Sequence, residues 1–229
     1  YKVLAKFNYS NPNYISILLF SIGILALPLS FLSLPLFMIV VASYTESKDN
    51  TLFKTMSKRS TLLFGVPLIF ITIYIAFVGY QLFYAEYLFS QSIKKVGQNQ
   101  GVDAYNLINK AVKISPYSDR YHLFSSVINL ALAENLAKKV DITEEDKSNI
   151  LKLVQQSIRE GKATVAVNKY KSTNWESLSS MYQKLVSFAS GADNFAVESL
   201  TQAINLDPIN PLLRIKLGSL YYSQQKYDL

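Results

Sequence analysis

The chain has 229 residues, half of them hydrophobic, with a net charge of +7 and no cysteine. The lack of cysteine excludes disulfides, thiol nucleophiles and cysteine-ligated metal sites, and it leaves the redox compartment open. A basic balance is compatible with nucleic-acid binding, but no arginine-rich patch is interleaved with aromatic residues, so we expect no nucleic-acid partner. The long apolar runs lie before residue 90, and the composition then becomes that of a soluble helical protein.

The first apolar block spans residues 14–44 and contains no charged residue. As a single helix it would be ~46 Å long at ~1.5 Å per residue, whereas a bilayer core needs only ~30 Å. Pro28 and Pro35 interrupt the run, and proline kinks or breaks a helix. Two interpretations remain open, one kinked membrane span, which we favour, or a re-entrant hairpin folded at residues 27–35.

A basic loop at residues 45–60 follows the first block. Short loops with an excess of lysine and arginine tend to stay in the cytoplasm, which predicts that everything after the second block lies outside the cytoplasm. Lys94 and Lys95 argue weakly for the opposite orientation. The basic residues of the loop are Lys48, Lys54, Lys58 and Arg59.

The second apolar block, residues 61–84, has the length of a single transmembrane helix. Tyr80, Tyr84 and Tyr87 lie near its end, where aromatic rings favour the headgroup layer. No glycine or proline interrupts residues 85–96, so we expect one long helix that leaves the bilayer and enters the next domain. Residues 1–84 are therefore predicted to form a membrane segment.

Residues 85–229 contain an internal repeat of small and apolar positions. The same spacings of four, three and five residues occur in Ala104, Ile108, Ala111 and Pro116 and in Ala196, Leu200, Ala203 and Pro208. A partner pattern recurs in Trp175, Leu178, Ser179 and Tyr182 and in Arg214, Leu217, Gly218 and Tyr221. Together these motifs resemble the tetratricopeptide repeat (TPR), a 34-residue helix–turn–helix unit.

The apolar blocks predict transmembrane helices, and the resemblance implies that a TPR-like α-solenoid of antiparallel helix pairs follows them, which together make an all-α protein. Residue 229 falls before the second helix of a unit, so residues 85–229 are expected to be an incomplete repeat domain that continues in the natural protein. Gly218 should pack closely between helices, and Gly218→Trp should unfold the last repeat. Val96–Gly101 is interpreted as a turn between repeat helices.

Two segments depart from the repeat pattern. The link after the Tyr182 helix is about five residues longer than the 34-residue unit allows, and residues 134–150 form a polar insertion. Thr143 and Asp146 have the spacing of a capping box and predict a helix over residues 144–167. Its small contacts are expected to be Ala163 and Ala166, with Tyr170 or Lys171 in the place where proline is usual.

The sequence offers no constellation for catalysis, a cofactor or a metal ion. His122 is the only histidine, and we interpret it as a solvated or half-buried helix residue, with Trp175 as a core residue. The resemblance implies that the concave face of the first helices holds a peptide or protein partner. The candidate groove residues are Glu176, Ser180, Gln183, Lys184, Ser219 and Tyr222.

Membrane helices that run directly into TPRs resemble the C-terminal end of bacterial O-antigen ligase/polymerase-like membrane proteins. This resemblance implies a non-catalytic tail in the cytoplasmic membrane, with its repeats outside the cytoplasm. The lipid-linked glycan substrate would then contact an enzymatic region upstream of Tyr1. The alternative is a membrane-anchored TPR adaptor without enzymatic activity. A transporter is disfavoured, because neither apolar block contains a charged residue.

Overall fold

The computed structural model describes residues 58–186 and 188–225, with only the backbone given for residues 58–69 and 72. This part of the chain is all-α and contains seven helices and no strand. The helices are α1 (Lys58–Gly97), α2 (Gly101–Ile114), α3 (Asp119–Ala137), α4 (Glu144–Val167), α5 (Ser172–Leu185), α6 (Ala192–Leu206) and α7 (Pro211–Ser223).

The chain divides into two compact units, Tyr1–Leu68 and Ile69–Leu229. The first apolar block and residues 45–57 of the basic loop lie outside the described residues. The helix that carries the second block begins at Lys58 and continues to Gly97, which confirms the prediction of one uninterrupted helix. In the part of the chain that the structure describes, none of the helices is both long enough and apolar enough to cross a membrane.

Three four-residue turns of nearly identical backbone geometry separate the helix pairs. They connect α2 to α3, α4 to α5 and α6 to α7. Their first residues, Ser115, Asn168 and Asp207, have φ/ψ of −130°/80°, −140°/81° and −135°/72°. Each first residue donates its N–H to the carbonyl four residues earlier. The shared geometry aligns the repeats independently of side-chain type.

An equivalent serine joins the two helices within each pair. The Oγ of Ser92 donates to the Ala104 carbonyl at 2.7 Å, Ser126 donates to Ser157 at 2.9 Å, and Ser179 donates to Ala196 at 2.8 Å. All three serines are buried. A small side chain at this point lets the backbones approach closely, and its hydroxyl finds a partner on the facing helix. The sequence separations between the bonded residues are 12, 31 and 17 residues. The link in the third pair is therefore longer than that in the first pair, as predicted.

The turns correct the predicted register of α4. When Asn168 is aligned with Ser115 and Asp207, the small residues of α4 at the helix contacts are Ser157, Gly161 and Thr164, which are all buried. Ala166 is exposed and Ala163 is half-buried. Lys169, and neither Tyr170 nor Lys171, occupies the place of Pro116 and Pro208. The predicted register was wrong because it assumed alanine at the close contacts, while this helix uses serine, glycine and threonine there.

The remaining signature residues of the first and third pairs pack as predicted. Ala104, Ile108 and Ala111 are buried in one core cluster, and Leu178, Tyr182, Ala196, Leu200 and Ala203 are buried in another. Trp175 packs against the second cluster, and its indole N–H donates to the Lys169 carbonyl at 2.8 Å. The turn at residues 98–100 connects α1 to α2, also as predicted.

The expectation for Gly218 is wrong within the described chain. A Cβ atom added to Gly218 would meet no heavy atom within 4 Å of it. The repeat register places this residue against the second helix of its own unit, and α7 is the last helix among the residues that the structure describes.

The capping box at the start of α4 is confirmed. The Thr143 side chain accepts from the Asp146 N–H at 3.1 Å, and the Asp146 carboxylate accepts from the Thr143 N–H at 3.3 Å. Lys139 adds an ion pair to Asp146 at 2.7 Å. Hydrogen bonds from Lys139 and Thr143 lower the pKa of Asp146 below its ordinary value.

We expect Thr143→Ala to lower the free energy of unfolding by about 1 kcal/mol, because the Asp146 N–H in the first turn of α4 loses its side-chain acceptor. Urea unfolding followed by circular dichroism measures the change. Thr143→Ser retains the hydroxyl and serves as the control. Equal stability of the alanine and serine variants would contradict the role of the cap.

Candidate functional site

A cavity of about 390 Å³ opens between α3 and α5, the first helices of the second and third pairs. Gly161 and Thr164 of α4 complete its floor. First helices of successive pairs lie side by side, so an opening between them belongs to the inner face of the solenoid. The cavity is therefore on the face where the sequence predicts a groove.

Three of the predicted groove residues line this cavity. They are Glu176, Ser180 and Lys184, all on α5. The turn alignment gives their counterparts on α3 as Leu123, Val127 and Ala131, and all of these also line the cavity. One wall is thus mainly apolar and the other carries the polar and charged groups.

The other three predicted residues do not line the cavity. Gln183 is exposed and donates to the Ser179 hydroxyl at 3.2 Å. Ser219 and Tyr222 are exposed on α7, one helix further along. The structure thus brings together only half of the predicted set.

The sequence reasoning missed the α3 wall and the floor. The missed residues of the α3 wall include Leu123, Val127, Leu130 and Ala131. The signal that identifies them is the turn at residues 115–118, whose alignment with residues 207–210 transfers the groove positions to α3. The sequence pattern alone does not lead to α3, because this helix lacks the Trp, Leu and Tyr signature.

Charged groups lie around the mouth of the cavity. Glu134 is on the α3 side and Lys184 on the α5 side. Glu176 forms an ion pair with Lys216 of α7, which connects the first helices of the third and fourth units. The mouth therefore presents one carboxylate and one ammonium group beside an acidic group that is already paired.

A buried polar layer joins α3 to α4 next to the cavity. His122, Ser125, Ser126 and Asn129 occupy the positions that Trp175, Leu178, Ser179 and Tyr182 hold in α5, and all four are buried. The Oγ of Ser157 donates to the Ser126 carbonyl at 2.9 Å, so this serine pair is hydrogen-bonded in both directions. Polar residues thus replace the apolar signature of the repeat.

His122 is more deeply buried than the sequence suggested. Its Nδ1 lies 2.7 Å from the Glu160 carboxylate, and its Nε2 lies 2.9 Å from the Pro116 carbonyl. The hydrogen bond to Glu160 raises the pKa of His122 against the opposing effect of burial, and the same bond lowers the pKa of Glu160. Each ring nitrogen faces an oxygen that can accept, the Glu160 carboxylate or the Pro116 carbonyl, and this arrangement favours the ionised pair.

The lining of the cavity is mainly apolar. No group of three or more histidine, aspartate or glutamate residues in the described part of the chain is placed to hold a metal ion. Both ring nitrogens of the only histidine are engaged, by Glu160 and Pro116. An apolar cavity with a few polar groups at its edge fits the insertion of a side chain from a partner.

No protein-family model matches this chain, and no curated protein matches it either. Several solved structures are similar over somewhat less than two thirds of this chain. The TPR domain of Arabidopsis OM64 has 14% identity and a TM-score of 0.46, covering 62% of this chain and 98% of that one. The first TPR of Spaghetti (RPAP3), bound to the HSP90 peptide SRMEEVD, has 13% identity and a TM-score of 0.46, with coverage of 62% and 94%.

A thermophilic TPR protein of Thermus thermophilus has 18% identity and a TM-score of 0.47, covering 63% of this chain and 68% of that one. These TM-scores lie below 0.5, so the assignment depends on the repeated turns, the serine contacts and the antiparallel helix pairs. On these features the described part of the chain is an all-α, TPR-like solenoid.

Proposed function

We propose that this chain is a non-catalytic scaffold that binds an extended peptide segment of a partner protein in the groove between α3 and α5. The observation that carries the proposal is the cavity of about 390 Å³ on the inner face. A leucine- or phenylalanine-sized side chain that enters it would gain about 1.5–3 kcal/mol from burial. Glu134 and Lys184 would then contact polar groups of the peptide on either side of this anchor.

The groove is tested by blocking it. Peptides are selected from a random display library against the wild-type chain in detergent, and their affinities are measured by fluorescence polarisation. Ala131→Trp fills the cavity from an exposed position on α3 and is expected to weaken binding about tenfold or more, since the anchor loses its burial.

The matched control is Ala166→Trp, because Ala166 is exposed on α4 and does not line the cavity. It should bind the selected peptides as the wild type does. Equal affinity of the Ala131→Trp and wild-type chains would overturn the groove proposal.

We further propose that the second apolar block anchors this scaffold in a bacterial cytoplasmic membrane, with the repeats outside the cytoplasm. Residues 61–84 contain no charge. Large apolar side chains of α1 between Phe70 and Phe83 are exposed around the helix, as expected for a helix surrounded by lipid. Resistance of the chain to carbonate extraction tests anchoring, and paired periplasmic and cytoplasmic reporters fused after Asn210 test the orientation.

Two parent proteins are compatible with this anchored scaffold. One is an O-antigen ligase-like enzyme whose catalytic region, acting on a lipid-linked glycan, precedes Tyr1. The other is an adaptor with no enzymatic activity. Further apolar spans and a large polar outer loop upstream in the gene would favour the enzyme, whereas a start codon directly before Tyr1 would exclude it.

A further inference from the structure

The three inter-pair turns expose one large side chain each at the same turn position. These side chains are Tyr117, Tyr170 and Ile209, with 88%, 76% and 89% of their surface accessible. Because the helix pairs are antiparallel, all three turns lie along one edge of the solenoid. We call residues 115–118, 168–171 and 207–210 the turn edge.

The turn edge lies level with the end of the exposed apolar part of α1. Glu86 of α1 accepts a hydrogen bond from the Tyr121 hydroxyl at 2.7 Å and pairs with Arg120 at 3.4 Å. Burial, together with Glu86, raises the pKa of Tyr121 to about 12, so its hydroxyl remains a donor. These contacts place the start of α3, and the turn before it, beside residue 86, just where α1 changes from exposed to packed.

Adjacent turns are fixed to one another by polar contacts. Asp119 accepts from Lys171 at 2.9 Å and from Asn174 at 3.0 Å, which joins the first turn to the second. Ser172 donates to the Ala203 carbonyl at 3.0 Å and so holds the second turn near the end of α6. The three exposed side chains of the turn edge therefore extend from turns that hydrogen bonds hold in place.

The charge of the first two turns is positive. Glu86 and Asp119 are neutralised by Arg120 and Lys171, whereas Lys113 and Lys169 form no salt bridge among the residues that the structure describes. Asp207 makes the third turn less basic, so we expect the first two turns to contribute most. Tyrosine and lysine are residues that favour the membrane interface.

The opposite edge, formed by the links within the pairs, has a different character. Val140 is exposed there, and the segment around it has mixed charge, with Asp146 and Glu144 paired to Lys139 and Lys147 and with Asp141 and Glu145 as further acidic groups. Acidic groups are repelled by anionic headgroups. The contrast supplies matched control positions on the same domain.

We propose that the turn edge rests on the anionic phospholipid headgroups of the bilayer that holds α1, with Tyr117 and Tyr170 inserted at the interface and Lys113 and Lys169 paired with lipid phosphates. This inference rests on the membrane anchoring proposed above. It assigns the repeat domain a second membrane contact and leaves the groove between α3 and α5 free for a peptide.

The experiment uses the absence of native cysteine in the full chain. Single cysteines at positions 117, 170 and 209 are labelled one at a time with an environment-sensitive fluorophore, and controls are placed at Gln98, Asp141 and Ser190. The chain is reconstituted in vesicles that contain phosphatidylglycerol, with a fraction of the lipid spin-labelled at the headgroup. Membrane insertion is measured separately by flotation after carbonate treatment.

We expect the spin-labelled lipid to quench the labels at positions 117 and 170 strongly and the label at 209 less, while the control labels remain unquenched. The Lys113→Glu/Lys169→Glu chain should lose most of the quenching at 117, because each lost attraction shifts the docked population about fivefold. Insertion of this variant should equal that of the wild type.

The outcomes separate the two proposals. A chain that fails to float with vesicles would overturn the anchoring and this inference together. A chain that floats but shows equal quenching at both edges would overturn the inference alone. Labels on the turn edge that are shielded from aqueous iodide without lipid quenching would indicate a protein contact there and would also overturn it.

Discussion

Replacing Ser157 with leucine is expected to lower the free energy of unfolding by about 2–4 kcal/mol. Ser157 is fully buried where α3 crosses α4, and its hydroxyl and carbonyl both bond to Ser126. A leucine there forces the helices apart, at a cost of about 1–3 kcal/mol. It also leaves the Ser126 carbonyl without this donor, which adds about 1 kcal/mol.

The control for this prediction is the same substitution at Ala166, which is exposed on the same helix. Ala166→Leu should change stability by no more than about 0.5 kcal/mol. Urea denaturation followed at the α-helical circular dichroism band compares the two variants. A large loss at Ala166 with little change at Ser157 would restore the register that the sequence alone suggested.

Replacing Glu160 with leucine is expected to reduce stability by about 3–5 kcal/mol near pH 6, because it leaves the buried His122 without its partner. The raised pKa of His122 gives stabilisation that is complete below its ordinary value of 6.5 and fades as the pH rises through the raised value. The lowered pKa of Glu160 gives stabilisation that is present above 4.5 and fades as the pH falls further. The contribution of the pair is therefore largest between about pH 4.5 and 6.5.

Denaturation at pH 6 and pH 9 tests this pH dependence. The difference between wild type and Glu160→Leu should shrink towards pH 9, as the pH rises through the raised pKa of His122. Gln155→Leu, an exposed change on the same helix, should show no such dependence. An identical loss at both pH values would show that the pair is not ionised in the folded chain.

The first and third pairs were predictable because their close contacts use the residues that define the repeat. Ala104, Ile108 and Ala111 match Ala196, Leu200 and Ala203 in type and spacing, and they occupy the same place in the structure. The capping box of α4 was equally readable, since both of its residues are local in sequence. In these cases one short stretch of sequence contains all the residues that the prediction needs.

The second pair could not be predicted in detail because its signals are non-local. His122 is compatible with a buried position only because Glu160, 38 residues later, supplies an acceptor. Ser126 and Ser157 likewise satisfy each other across 31 residues. An analysis of hydrophobic periodicity assigns such polar residues to the exposed face. The partner whose hydrogen bond allows their burial can be identified only once the pairing of the helices is known.

The candidate site was half predicted for the same reason. Glu176, Ser180 and Lys184 follow from the register of α5, which carries the recognisable signature. Their apolar counterparts on α3 remained hidden because α3 has polar residues at its signature positions. Gln183 shows a different limit, since a hydrogen bond to Ser179 holds it away from the opening.

The serine contacts within the helix pairs make the packing of the two helices independent of the length of chain that joins them. Ser92, Ser126 and Ser179 make the same bond although their partners lie 12, 31 and 17 residues further along the chain. In the second pair most of the extra length is helical, in α3 after Ser126 and in α4 before Ser157, and only residues 138–143 form the link. Residues 138–143 are thus a natural place for the chain to gain or lose segments during evolution. They are also a practical place to insert a tag, because the packing of α3 on α4 at Ser126 and Ser157 would remain unchanged.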